Sequence, residues 1–173
     1  MGKKRRKKKK EQHPMIVFAD GSADAKENAA GYGYLVIDDN NNIVEEGSGG
    51  IIVANNAFAE LTAVINGIVA ASQYGPTAIT VFTDYKTIPT ALKSDIVRWN
   101  KNGWQTAKGR TVKNAELWMR LEELAKKHKV EFCWVKGHSG NEHNSRCDFL
   151  AGKARRDVAT KRKANRMAEF PVS

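Results

Sequence analysis

The chain has 173 residues, with 29 Lys/Arg against 19 Asp/Glu and a formal net charge of +10. That length suits one domain with a real core, and no apolar run approaches the ~20 residues of a membrane helix. The opening MGKKRRKKKK lacks the apolar core of a secretory signal, and two cysteines, Cys133 and Cys147, exclude a disulfide scaffold and paired-cysteine zinc sites. A cytoplasmic protein fits these features, with the nucleus as the alternative in a eukaryotic cell, where the Lys/Arg run could serve as an address.

The charge is unevenly placed. Residues 1–13 hold eight Lys/Arg and one Glu, and residues 158–173 hold four Lys/Arg and one Glu. The stretch between them, 14–157, carries 17 basic and 17 acidic residues and no net charge. The expected organisation is therefore a disordered basic tail (1–13), a domain (14–157) and a basic C-terminal tail (158–173). Inside the neutral domain, Lys86 to Lys113 carries seven basic residues and only Asp95 as an acid, the composition of a local anion-binding face or of a solvated one.

Met15 to Ala19 is a continuous apolar run that predicts a buried strand, ended by the turn signal Asp20-Gly21. Gly31–Ile37 and Ile43–Val53 predict two more strands around the Asp38–Asn42 turn cluster, so the first three strands form an antiparallel meander. Leu61, Val64, Ile65, Ile68, Val69 and Ser72 recur with helical spacing, and Tyr74-Gly75-Pro76 ends that helix. Ala78–Thr83 reads as a fourth, buried strand, and Pro89 should break the following helical stretch into short pieces. A helix is expected over Ala115–His128 with Asn114 as N-cap, then a fifth strand over Val130–Val135, then a closing helix from Asn144. Trp118 and Trp134 read as core residues. The order β-β-β-α-β-α-α-α-β-α implies an α/β class with a mixed five-stranded sheet flanked by helices.

Four carboxylates stand out in this frame. Asp20 and Asp84 end buried strands, Glu60 lies beside an apolar helical stripe, and Asp148 falls near the start of the last helix. Taken singly, Asp20-Gly21 reads as a turn, Asp84 as an N-cap, Glu60 as a partly exposed first-turn acid and Asp148 as a capping acid. Taken together, they can converge, and converging carboxylates require a compensating cation. Oxygen donors suit hard divalent ions, Mg²⁺ above all, and two ions about 4 Å apart form a clamp suited to phosphodiester displacement.

At this point the sequence resembles type 1 ribonuclease H, from about Met15 to Arg156. The markers in order are Asp20-Gly21-Ser22, Gly31-Tyr32-Gly33, Ala59-Glu60-Leu61, Thr83-Asp84, Gly103-Trp104-Gln105-Thr106-Ala107, Val112-Lys113-Asn114, Val135-Lys136-Gly137-His138-Ser139-Gly140 and Asn144-Ser145-Arg146-Cys147-Asp148. The resemblance implies the ribonuclease H-like fold and an endonuclease that cuts the RNA strand of RNA–DNA hybrids, leaving 5′-phosphate and 3′-hydroxyl ends. It implies that Asp20, Glu60, Asp84 and Asp148 hold two Mg²⁺ ions, with Mn²⁺ a possible substitute, and that His138 assists from a mobile loop. It further implies substrate contacts by Asn56, Lys101, Trp104, Thr106, Lys113, Asn114 and Asn144, and a monomer with no membrane partner.

The sequence departs from the family pattern where it would grip substrate. Ala23–Asn28 replaces a Gly/Pro-rich turn, Asn55-Asn56-Ala57 keeps only Asn56 of a Thr-Asn-Asn run, and Tyr85-Lys86 replaces small and amide residues after Asp84. Another nuclease or strand-transfer enzyme of the same broad fold is the nearest alternative, and the basic segment together with the His138 loop favours the hybrid nuclease.

Overall fold

The computed structural model describes residues 13–52, 55–137 and 139–169. Five strands, β1 (Met15–Asp24), β2 (Ala29–Ile37), β3 (Ile43–Ile51), β4 (Ile79–Thr83) and β5 (Val130–Trp134), form one sheet in the order β3-β2-β1-β4-β5. The pairs β1–β2 and β2–β3 are antiparallel, while β1–β4 and β4–β5 are parallel. This is the mixed sheet and the antiparallel meander that the turn signals imply.

The first strand is longer than its apolar run. It continues through Asp20 and Gly21 to Asp24, because β2 keeps pairing with it as far as Asp24↔Ala29. The parallel pairing of β1 with β4 stops at Phe18↔Phe82. Asp20 is therefore not at a turn. It sits mid-strand, just past the point where β1 and β4 part. The turn itself falls at 25–28, where the Asp24 carboxylate accepts from the N–H groups of Lys26 and Glu27 and Asn28 takes a positive φ.

Side chains alternate across the sheet. Val17, Ala19, Val36 and Val81 face a core shared with α1 (Asn56–Ser72) and α4 (Ala115–His128), while Phe18, Leu35 and Ile37 pack with Cys147 and Leu150 of α5 (Glu142–Glu169) on the other face. Strands covered on both faces read as unbroken apolar runs, which is why β1 and β4 were legible as buried. The helical stretch after β4 is less broken than Pro89 suggests. α2 (Thr87–Thr90), a π-helical turn (Ala91–Asp95) and α3 (Ile96–Lys101) follow one another without a gap. Pro89 lies in the first turn, where its missing N–H has no helical acceptor to lose.

Two helix ends also differ from expectation. Asn114 precedes α4 in the left-handed conformation, φ 59°, and its side chain makes no capping bond. Asn141, unnoticed in the sequence, caps α5 instead through Oδ1, which accepts from Asn144 N at 3.0 Å. α5 then runs past Val158 to Glu169 as one helix, with Ala159 buried and Lys163 paired to Glu27 at 2.6 Å. Residues 158–169 thus extend the domain's last helix, and the expected tail at 1–12 lies outside the described residues. Among the described residues, no helix is long and apolar enough to cross a membrane.

Glycines set how closely α5 approaches the sheet. A Cβ built on Gly33 would lie 2.6 Å from the Cys147 carbonyl oxygen and 2.7 Å from Leu150 Cβ, both on α5. Gly33→Ala should therefore push α5 outward at the level of Asp148 and destabilise the fold by about 1–3 kcal/mol. Urea unfolding would read this as a lower midpoint at unchanged slope.

Candidate active site

Asp20, Glu60 and Asp84 reach one place from three elements. Each offers one carboxylate oxygen, and these oxygens all lie within 4.8 Å of one another. Asp20 comes from the middle of β1, Glu60 from the first turns of α1, and Asp84 from the bend just after β4. Asp20 and Glu60 are buried, at 5% and 4% exposure, and Asp84 is partly exposed.

Local packing explains how α1 delivers Glu60. Asn55 caps the helix by accepting from Phe58 N. Gly21 lets the helix start press onto β1, since a Cβ there would lie 2.4 Å from the backbone N of Glu60. Across this contact the Gly21 N–H donates to Glu60 Oε2 at 2.9 Å, and Asn56 Nδ2 lies 3.5 Å from Glu60 Oε1. Asp84 is walled in by the segment after β5, for a Cβ on Gly137 would lie 2.4 Å from its Oδ2.

Asp148 is not in the 4.8 Å set, but its charge acts on Asp20. It projects from the second turn of α5 rather than from a helix start, so it is not a capping acid. Arg146, two residues earlier, grips Glu46 of β3 with both Nε (3.0 Å) and Nη2 (2.7 Å), which ties this end of the helix to the sheet.

The charges repel. Burial, then the Asp84 and Asp148 charges, push the Asp20 carboxyl up to about 7. Burial, then Asp20 and Asp84, push the Glu60 carboxyl up to about 9. Acids brought together at this cost, all with oxygen donors, fit a hard divalent cation and little else.

The basic segment forms a built surface rather than a loose loop. Trp99 packs against Trp118 (centroids 5.6 Å) and against Trp104 (5.8 Å), so a chain of indoles fastens it to α4. Trp104 has φ 60°, uncommon for a bulky residue. It is held there by its N–H to the Trp99 carbonyl (2.7 Å) and its indole N–H to Asn100 Oδ1 (3.1 Å). Beyond it, Gln105 bridges Thr111 and Thr106 N donates to the Arg110 carbonyl, leaving Lys101, Thr106, Lys108, Arg110 and Lys113 exposed.

The remaining expected residues divide. Asn56 is exposed beside Glu60, and Asn114 is partly exposed at the start of α4. Asn144 is buried at 4%, and its Oδ1 has no hydrogen-bond partner among the described residues, so it is not part of an open contact surface. His138 lies outside the described residues, and His143, in the first turn of α5, packs against the Phe18 ring at 5.1 Å. Sequence reading missed Trp134. Expected in the core, it is half exposed at the end of β5, where its indole N–H donates to the Asp84 carbonyl at 3.0 Å. The signal available was its place at the end of the fifth strand, beside the strand that Asp84 follows.

Comparison with known proteins agrees with this arrangement. The family model described as RNase H matches residues 12–156. A ribonuclease H of Hyphomonas neptunium is 36% identical over 142 residues, covering 82% of this chain and 92% of its own length. One from Clostridium botulinum is 36% identical over 143 residues, covering 81% and 94%. Among solved structures, LC9-RNase H1, a type 1 RNase H with the type 2 active-site motif, superposes with a TM-score of 0.74 at 26% identity, covering 84% of this chain and 74% of its own. LC11-RNase H1, solved in complex with an RNA/DNA hybrid, shares the fold with a TM-score of 0.61 at 20% identity, covering 83% and 98%. With a family match over nearly the whole domain, and curated relatives alike over most of both lengths, the chain belongs to the RNase H family of endoribonucleases.

Proposed function

We propose that this protein hydrolyses the RNA strand of RNA–DNA hybrids at the Asp20–Glu60–Asp84 cluster, with Asp148 completing the site. The convergence of three carboxylate oxygens within 4.8 Å, two of them from buried residues, carries the reading. When bound there, two Mg²⁺ ions supply an activated water and charge stabilisation at the leaving 3′ oxygen, and the products carry 5′-phosphate and 3′-hydroxyl ends. Asp20, whose carboxyl feels both Asp84 and Asp148, would serve both ions. Glu60, tied to Gly21 N and reached by Asn56, joins the metal site to the side on which Asn56 can meet a 2′-hydroxyl of the RNA. His138 assists proton movement or product release.

The exposed cations from Lys101 to Lys113 hold backbone phosphates, with Asn114 beside them. The indoles beneath them act as the anchor. The lysine-rich stretch at 1–13 adds affinity blind to sequence. The protein works as a monomer in the cytoplasm, or in the nucleus of a eukaryotic cell.

The activity test uses labelled RNA–DNA hybrid, duplex DNA and duplex RNA, each with Mg²⁺ and with chelator. Cleavage should be confined to the hybrid, abolished by chelator, and reduced more than about 100-fold in Asp84→Asn. An active Asp84→Asn would overturn the metal assignment, and equal cutting of duplex DNA would overturn the hybrid specificity.

The raised carboxyls also make metal-free stability depend on pH. Asp20 and Glu60 bind protons more tightly in the folded chain than at their ordinary values of 3.8 and 4.5. The folded state thus holds the excess protons, and its stability falls as pH rises. The stability these two groups contribute is fully present below about 4 and is lost as pH climbs through about 7 and then about 9. Thermal unfolding of the metal-free protein between pH 5 and 9 should show this fall, and Mg²⁺ should flatten it. Glu60→Gln should raise the metal-free midpoint at pH 8 by roughly 3 °C. A midpoint that rises with pH would contradict the burial of these acids.

Removing residues 1–13 deletes eight cations, so hybrid binding should weaken and its dependence on salt should become shallower. An unchanged salt slope would show that this stretch does not touch the substrate.

A further inference from the structure

Asp84 lies just beyond the sheet. The β4–β5 ladder ends at Thr83↔Trp134, and α2 does not begin until Thr87, so no regular hydrogen-bonding pattern holds the chain where the carboxylate leaves it. Besides Ile88 N, which donates to the Tyr85 carbonyl at 3.0 Å, contacts at residues 83 and 84 replace that pattern. Val135 N donates to the Thr83 carbonyl at 3.0 Å, Tyr85 N donates to Thr83 Oγ1 at 3.1 Å, and the Trp134 indole donates to the carbonyl of Asp84 itself at 3.0 Å. Of these, only the indole bond reaches Asp84.

Burial does not account for Trp134, which is 49% exposed. Its open ring is instead met by Lys86, whose Nζ stands 5.8 Å from the ring centroid. One indole therefore touches the 84–86 segment at both ends, by its N–H at Asp84 and by its face at Lys86. A peptide carbonyl held in this way fixes the plane that follows residue 84 and so restrains the directions in which the Asp84 side chain can depart.

We propose that Trp134 is a positioning residue for Asp84: its indole N–H holds the Asp84 backbone so that the carboxylate stays aimed into the cluster with Asp20 and Glu60, and this sets the cluster's affinity for divalent cation. The inference rests on the reading of Asp84 as a metal ligand. A carboxylate left to choose its own direction must be ordered when the cation binds, and outer groups that pre-order a ligand typically contribute 10–100-fold in metal affinity.

The test replaces Trp134 by 3-benzothienylalanine, which keeps the ring's shape and the Lys86 contact but has no N–H, alongside Trp134→Phe. Isothermal titration with Mg²⁺ alone reads the affinity, and thermal unfolding of the metal-free proteins reads stability. Kinetics on the hybrid separate kcat from KM. The expected result is Mg²⁺ binding weakened on the order of tenfold, with the metal-free unfolding midpoint within about 3 °C of wild type. The kcat should fall at limiting Mg²⁺ and recover at high Mg²⁺, with KM for the hybrid unchanged. Mg²⁺ affinity within twofold of wild type in the benzothienyl protein would overturn the proposal, as would a loss of affinity seen only with a larger loss of stability. Asp84→Asn, titrated in parallel, separates the two claims. Wild-type Mg²⁺ affinity in Asp84→Asn would overturn the ligand reading and this inference together, whereas failure of the Trp134 proteins alone would overturn only the inference.

Discussion

Burial of two carboxylates, compounded by repulsion from their acidic neighbours, is the constraint around which this molecule is arranged. Asp20 and Glu60 are almost fully enclosed, and each feels the charge of Asp84. Without a cation, the fold holds these groups only by retaining protons that free carboxyls would have released. A divalent metal bound there would therefore stabilise the fold and prepare the chemistry by one and the same interaction.

The surrounding architecture is what keeps such groups from separating. β1 continues beside β2 after its parallel partner β4 has ended, which opens a notch at the level of Asp20. Gly21 admits the first turns of α1 into that notch, Gly137 admits the chain after β5, and Gly33 lets α5 lie close behind it. At each of these glycines a side chain would collide with the neighbouring segment, the α1 backbone at Gly21, the Asp84 carboxylate at Gly137 and α5 at Gly33. The four acids of the proposed site thus come from four separate segments of the chain, none adjacent to another in sequence.

Charge outside the notch is organised by apolar contacts. The indole chain Trp104–Trp99–Trp118 fastens the basic segment to α4, so its cations project from a fixed base. Held this way, the cations would lose less freedom on meeting a phosphate backbone than they would on a free loop. The net positive charge of the chain lies elsewhere, in 1–13 and in residues 158–173, of which 158–169 prolong α5.

Much of this was legible from the amino-acid order. Buried strands showed as apolar runs, α1 and α4 by their spacing, and the four carboxylates by being acids where apolar or turn residues were due. These signals are local, and the physics behind them acts over a few residues. What the order of residues left open depended on partners distant in the chain. The first strand outlasted its apolar run because β2 supplied hydrogen bonds, Asn114 adopted a left-handed backbone and left its capping role unfilled, and Asn144 was buried in the first turn of a helix capped by Asn141. Trp134 looked like core by composition, and only the parallel pairing of β5 with β4 placed its N–H against Asp84. Residue types and their periodicity determined the class of fold and the chemistry it could host. The tertiary structure decided which acids meet, how deeply they are buried and what holds them in place, because those quantities are set by contacts between segments that the sequence keeps far apart.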